Sequence, residues 1–326
     1  MSTTPDHLLI CGLGSIGRRH LRHFRAAGVR RIDAFRTGRS TLADDGQPAP
    51  DRVFHMLPDA LAERPSAVVV TNPTALHVPT ALEAVRAGCD VLIEKPLSHE
   101  LEGCDLLIAE AGRLDRVAAV ANNLRFHPTL ALMREWATGA GPFGAPVAAR
   151  AHFGAYLPAW HPWEDYRTSY AARADLGGGA ALTSIHETDY CTWLFGTVRR
   201  ASGMRAVAHP LGTDVDEVCT ILLSHDTGVL STITLSLAQR PPSRTLEIVF
   251  ERGRVECDLA AAAWRAWDHD GNASSGGAPA GFDIDQTYRL QAEAFLRAVR
   301  REAPVTVSLE EGRAAVRAAL TIKETS

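Results

Sequence analysis

The chain has no long hydrophobic run, no basic stripe and no close pair of cysteines, and each absence narrows what it can be. No apolar stretch reaches the roughly 18–20 residues that a membrane span needs. The polar start, residues 1–7, shows no secretory pattern, so a cytoplasmic protein is expected. With 34 Lys+Arg against 38 Asp+Glu the formal net charge is −4. No cationic face gathers along the sequence, which argues against nucleic acid as a partner. The six cysteines, Cys11, Cys89, Cys104, Cys191, Cys219 and Cys257, stand singly. They read as buried thiols of a reducing compartment, with neither disulfides nor a zinc site. There is no internal repeat and no metal-ligand cluster. Aromatic residues make up only 6%, so a local concentration of them carries information. What remains is an ordinary globular composition, 46% hydrophobic over 326 residues, too long for one small core and suited to two domains.

The stretch around which the rest is organised runs from Leu8 to His20. Leu8, Leu9, Ile10 and Cys11 read as a buried strand. Gly12, Gly14 and Gly17 then form Gly-x-Gly-x-x-Gly, and a helix opens with Ile16, His20, Leu21 and Phe24 at helical spacing. Strand before and helix after make this a dinucleotide fingerprint. Gly12 permits the tight turn, Gly14 lets the backbone approach a pyrophosphate, and Gly17 lets helix and strand pack closely. The helix start at Ser15 and Ile16 offers unpaired N–H groups and a positive dipole end. The second strand, about 29–35, ends where such sites usually place an acid for the ribose hydroxyls. Here the place holds Arg36, Thr37, Arg39 and Ser40, which suit a 2′-phosphate, so NADP is favoured over NAD.

Residues 67–71 are a β-rich run suited to a parallel strand buried on both faces. It leads into Asn72-Pro73-Thr74-Ala75-Leu76-His77. Ligands collect at the carboxyl ends of such strands, which puts Thr71, Asn72 and His77 on the cofactor side. Residues 90–93 form the next strand and run into Glu94-Lys95-Pro96, and 117–121 form a sixth. Strands alternating with helices predict a doubly wound parallel sheet over 1–122. Lys95, just past a buried strand, reads either as one half of a surface ion pair with Glu94 or as a donor of a hydrogen bond to the oxygen of a reacting carbon. Burial and a nearby nicotinamide cation would lower its pKa.

The glycine fingerprint, Asn72 to His77, Glu94-Lys95-Pro96, and Gly177-Gly178-Gly179 followed by His186-x-x-Asp189 together resemble the glucose–fructose oxidoreductase/inositol dehydrogenase family. The resemblance spans nearly the whole chain. It implies a Rossmann domain and then a C-terminal α/β domain, 123–326, with an open, mostly antiparallel sheet carrying substrate and subunit contacts. The final helix is expected to pack back toward the first domain. It further implies a nicotinamide-dependent oxidoreductase acting on a sugar, amino sugar, nucleotide sugar or cyclitol, in a homodimer or homotetramer. Two alternatives share the family: an NAD-dependent glycoside hydrolase and a non-catalytic dinucleotide-binding regulator. Lys95 and His186 are the implied catalytic pair, with Glu94 beside the cofactor and Arg125 and His127 beside the substrate.

The second half adds its own signals. Residues 156–167 concentrate Tyr156, Trp160, Trp163, His161 and charged groups among prolines. That is an irregular loop suited to stacking on a sugar. One helix is expected over 180–195, with His186, Asp189 and Tyr190 on one face toward the substrate. An unperturbed histidine pKa near ~6.5 suits proton exchange. Relatives carry an aspartate one turn before this histidine. Here Leu182 and Thr183 stand there, and Thr183 can hydrogen-bond but holds no charge, so either the histidine lacks its acidic support or Glu187 or Asp189 takes that part. Strand-like runs between 201 and 258 with tight turns predict an antiparallel sheet. Residues 269–281 read as a mobile loop, and two amphipathic helices close the chain.

Overall fold

The computed structural model describes residues 6–38, 49–160, 162 and 164–323. The chain divides into two compact units: residues 1–123 with 284–313, and 124–283 with 314–326.

The first unit is built on six parallel strands: β1 (His7–Cys11), β2 (Arg31–Phe35), β3 (Val53–Phe54), β4 (Ala67–Val70), β5 (Asp90–Glu94) and β6 (Ala118–Ala121). Their order is β3-β2-β1-β4-β5-β6, so the chain reverses direction of winding between β1 and β4. The helices α1 (Ser15–Ala26), α2 (Leu57–Ala62), α3 (His77–Arg86) and α4 (Cys104–Arg113) connect the strands. Every residue of β4 and β5 is buried, as a parallel sheet covered on both faces requires. Leu8, Ile10, Ile32, Val69 and Leu92 form its core with Leu21 and Phe24 of α1. A later helix joins this core: Phe295 meets the Phe24 ring edge-on at 6.1 Å. Asn123 Nδ2 donates to Thr287 Oγ1 of the same helix at 2.7 Å.

The second unit begins with α5 (Pro128–Glu135) and the long strand β7 (Pro146–Tyr156). Four short 3₁₀ turns lie between 157 and 176, then α6 (Ala180–Thr183) and α7 (His186–Phe195). Seven further strands follow: β8 (Val198–Arg205), β9 (Val218–His225), β10 (Leu230–Ser236), β11 (Ala238–Phe250), β12 (Gly253–Asp258), β13 (Ala263–Asp268) and β14 (Ala273–Gly277). They make an eight-stranded sheet ordered β14-β13-β12-β11-β7-β10-β9-β8, antiparallel except for β7 beside β10. Alternate residues such as Ala151, Ile221, Ile233, Leu246 and Val255 face inward and are buried, while Arg150, Thr232 and Glu247 face out. The chain ends with α8 (Asp285–Val299), the helix that joins the first unit, and α9 (Leu309–Leu320). The division between units passes through α9.

Two expectations are corrected. The single helix over 180–195 is broken, because Ser184 leaves the helical region at φ −105°, ψ 40°. Thr183, Ser184 and Ile185 are poor helix formers in succession. The glycine- and serine-rich 269–281 stretch is not a simple loop either: β13 and β14 pair through it as a hairpin.

Candidate active site

The glycine turn follows from close approach of backbones. Gly12 sits at φ +107°, and a Cβ there would lie 2.8 Å from Thr71 O. A Cβ at Gly17 would lie 2.0 Å from Gly12 O, so α1 packs against the turn only because Gly17 has none. Gly14 differs: a Cβ there would meet no atom of the described residues within 4 Å. Gly14 begins α1, no side chain caps that end, and no acid stands in its first turn. Unsatisfied N–H groups beside open space, at the reversal point of the sheet, fit a pyrophosphate. Ser15 is exposed and Ile16 half-buried beside it.

At the tip of β2, Arg36 is half-buried and Thr37 exposed. The Arg36 backbone is held on both sides, its N–H donating to Phe54 O at 3.0 Å and its carbonyl accepting from His55 Nδ1 at 3.0 Å. Asp33, the acid of β2, is turned inward and bonded to His7 and Arg31 at 3.0 and 2.7 Å. Arg39 and Ser40 lie outside the described residues.

The loops after β4 and β5 are tied together. Thr71 Oγ1 donates to Gly12 O at 2.7 Å, and Asn72 Nδ2 donates to Thr80 Oγ1 at 2.9 Å. His77 is buried between Asn72 O and Pro96 O, and burial pushes its pKa below the ordinary value. Glu94, expected beside the cofactor, points into the interior. Its carboxylate accepts from His20 Nε2 of α1 at 2.7 Å and from the Lys95 backbone N–H at 3.1 Å. Lys95 itself is half-buried and joined to Pro96 by a cis peptide bond.

In the second unit the last glycine of the triple, Gly179, is required by Asp216, and Gly178 by the Tyr170 carbonyl. A Cβ at Gly179 would lie 2.1 Å from Asp216 Oδ1. Asp216 accepts from Ala180 N–H at 2.7 Å through its carbonyl and from Ala181 N–H at 2.8 Å through Oδ2. This sets the start of α6, with Thr183 buried at its end, and places His186 at the first turn of α7. Four expected substrate contacts are buried here, three of them with partners inside the chain. Arg125 and Asp189 face each other in a buried bidentate pair at 3.0 and 2.8 Å, which anchors α7. His127 is buried, donates from Nε2 to Leu259 O at 3.1 Å and meets Phe282 edge-on. Burial pushes its pKa down to about 4. Tyr190 is fully buried and packs in the core, and its phenol is pushed up by burial.

The aromatic loop is irregular, as its prolines require. Tyr156 carries the Arg240 guanidinium 3.3 Å above its ring, Trp160 leans on Phe153 at 6.4 Å, and Tyr166 Oη donates to Leu211 O at 2.8 Å. Trp163 and His161 lie outside the described residues. Sequence reasoning missed Arg244, whose Nε donates to Glu187 Oε1 at 2.9 Å while its guanidinium covers Phe153 at 4.1 Å. Nothing in the sequence joins two residues so far apart. Asp216 left a faint signal, an acid run just before a strand. Among the described residues no group of His, Cys, Asp or Glu is arranged to hold a metal, the six thiols are free and buried, and no helix is long and apolar enough to cross a membrane.

A parallel dinucleotide sheet joined to an open antiparallel one defines a class of two-domain oxidoreductases. Residues 7–122 match the oxidoreductase family with an NAD-binding Rossmann fold, and 133–256 match the GFO/IDH/MocA C-terminal domain. The chain belongs to this oxidoreductase family. It is 27% identical to UDP-N-acetylglucosamine 3-dehydrogenase of Acidithiobacillus ferrooxidans, covering 96% of this chain and 95% of that protein. It is 28% identical to inositol 2-dehydrogenase 1 of Saccharopolyspora erythraea, covering 94% and 89%. The fold matches the WlbA dehydrogenase of Bordetella pertussis, a complex with NADH and UDP-GlcNAcA, with TM-score 0.79 at 19% identity over 99% of this chain and 98% of that one.

Proposed function

We propose that this enzyme is a nicotinamide-dependent dehydrogenase or reductase of a sugar, nucleotide sugar or cyclitol, with NADP preferred, acting in a biosynthetic direction. The observation that carries the reading is Gly14, where an uncapped helix end faces open space at the reversal of the sheet. Full-length similarity to a nucleotide-sugar dehydrogenase and to an inositol dehydrogenase supports the substrate class. The NADP preference is supported by Arg36 and Thr37 at the tip of β2 and by the inward turn of Asp33.

The dinucleotide, when bound, supplies hydride exchange at its nicotinamide ring. The chain's part is to hold and to move protons. Gly12, Gly14 and the N–H groups of Ser15 and Ile16 bind the pyrophosphate. The Arg36 fork takes the 2′-phosphate, a geometry a lysine would not reproduce. Lys95 donates to the oxygen of the reacting carbon, and His186 takes up or returns its proton. Tyr156, Trp160 and Trp163 offer ring faces to the sugar, and Thr183 a hydroxyl. We also propose that a second copy of the chain covers the outward face of the eight-stranded sheet, where Leu222, Leu230 and Val249 lie exposed, and light scattering on Leu230→Glu tests it.

The deciding experiment is a titration of the apo-protein with NADPH and NADH, repeated with Arg36→Asp. Tight NADPH binding that weakens in the variant supports the NADP reading. Equal or better NADH binding refutes that preference, and binding of neither by folded protein refutes the function.

A further inference from the structure

His77 is buried yet has a backbone acceptor at each end of its ring. Nδ1 lies 2.8 Å from Pro96 O and Nε2 lies 2.9 Å from Asn72 O. The first carbonyl belongs to the residue after Lys95, and the second to the loop after β4. That second loop is itself fixed to the glycine turn, because Thr71 Oγ1 donates to Gly12 O at 2.7 Å and to Cys11 O at 3.1 Å. Burial keeps the ring neutral, with a single N–H, so His77 donates to one of these two carbonyls and packs against the other, and it still spans the gap between Pro96 and a loop that Thr71 ties to the phosphate turn. On the other side of Lys95, Glu94 Oε2 accepts the Lys95 N–H at 3.1 Å while Oε1 accepts from His20 Nε2 of α1 at 2.7 Å. Both flanks of the lysine are thus pinned to the elements that frame the dinucleotide turn.

We propose that His77 is a positioning residue: it clamps the β4 and β5 loops together so that Lys95 is held in register with the phosphate turn, and it touches neither cofactor nor substrate. Its value for the reaction rests on the reading of Lys95 as the group that holds the reacting oxygen. A small misplacement of such a donor is costly, since rate depends steeply on the alignment of the reacting groups. A hydrocarbon ring at position 77 would fill the space and remove the ring N–H, leaving the carbonyl it served without a donor. A glutamine keeps an N–H donor for one carbonyl and loses the rigid ring that packs against the other.

The sequence makes a direct test possible, because Lys95 and Lys323 are the only lysines among 326 residues. Reductive ¹³C-methylation of the apo-protein therefore labels two side chains and the α-amino group. In His77→Phe the Lys95 resonance is expected to shift, while the Lys323 resonance stays in place. His77→Gln, the milder change should the phenylalanine variant fail to fold, is expected to lie between the two. In assays with UDP-N-acetylglucosamine and inositol, His77→Phe should lower kcat by about tenfold or more with KM and NADPH affinity changed by less than about threefold. Adding it to Lys95→Met should slow the residual rate no further. An unmoved Lys95 resonance in both His77 variants overturns the clamp, as does a loss of NADPH affinity without any change at Lys95. Full turnover by Lys95→Met would refute the role of the lysine instead, and the resonance of Lys95 still decides on the clamp.

Discussion

Gly14→Ala and Gly17→Ala, three positions apart, should fail in opposite ways. A methyl at Gly17 starts 2.0 Å from Gly12 O and 2.9 Å from Thr71 Oγ1. The nearest obstacle is backbone, so α1 or the turn must retreat by at least about 1 Å, the kind of overpacking that costs roughly 1–3 kcal/mol. The upper end is expected here because no flexible side-chain end can yield. At Gly14 the backbone sits at φ −70°, ψ −172°, which alanine adopts freely, and the methyl meets no atom of the described residues within 4 Å. A poorer helix cap costs a few tenths of a kcal/mol to about 1, and the stiffer unfolded chain returns about 0.4–1. Gly14→Ala should therefore unfold in urea within about 0.5 kcal/mol of the parent. It should bind NADPH about tenfold less tightly, equivalent to about 1.4 kcal/mol, since its methyl occupies the space where backbone and pyrophosphate would meet. Fluorescence titration and urea unfolding on the same preparations separate the two effects. Undiminished NADPH binding by Gly14→Ala would refute the phosphate cradle, and parent-like stability of Gly17→Ala would refute the close packing.

Asp189→Asn should cost about 3–5 kcal/mol in unfolding experiments, because it leaves the buried Arg125 charge without its partner. A loss below about 1 kcal/mol would mean that water reaches the pair. The His127 pKa, near 4 in the folded chain against an ordinary 6.5, means that the unfolded chain binds more protons between those values. Its contribution is complete above about pH 6.5 and is lost as pH falls toward 4, to the order of 3 kcal/mol. Urea unfolding at pH 7 and 4.5 should show a smaller fall in His127→Gln than in the parent. An equal fall would place the acid sensitivity elsewhere.

The first unit was legible because its signals are local. A strand, a glycine turn and a helix are spelled out in consecutive residues from Leu8 to Phe24, and buried strands such as 67–70 show as continuous apolar runs. The short β3 was not legible, since two residues carry no periodicity. Nor was the break before His186, where three mediocre helix formers stand inside an otherwise helical pattern. The hairpin of β13 and β14 was hidden by composition: Ala273–Gly277 has almost no side chain to alternate, and its pairing with Ala263–Trp267 supplies the structure. The partners of the site residues were hidden for a different reason. Arg125 and His127 carry the right chemistry for a sugar, and only tertiary structure reveals that Asp189 and the Leu259 carbonyl already engage them.

The missing aspartate before His186 sharpens into a question about two neighbouring acids. Asp189 is held by both arms of Arg125, and Glu187, fully buried, accepts from Arg244 Nε at 2.9 Å. Each carboxylate faces a guanidinium that never loses its proton at working pH, so neither is free to exchange one with the substrate. That leaves hydroxyls before the histidine, Thr183 and Ser184, both buried, and a hydroxyl can orient an imidazole without stabilising its charge. Glu187→Gln should therefore lower the melting temperature, through the Arg244 charge left beside a neutral amide. It should leave the acid limb of the kcat–pH profile within about 0.3 units of the parent. A movement of that limb by a full unit would show that Glu187 is coupled to the proton on His186, and the acid would then have been relocated by one residue and not lost.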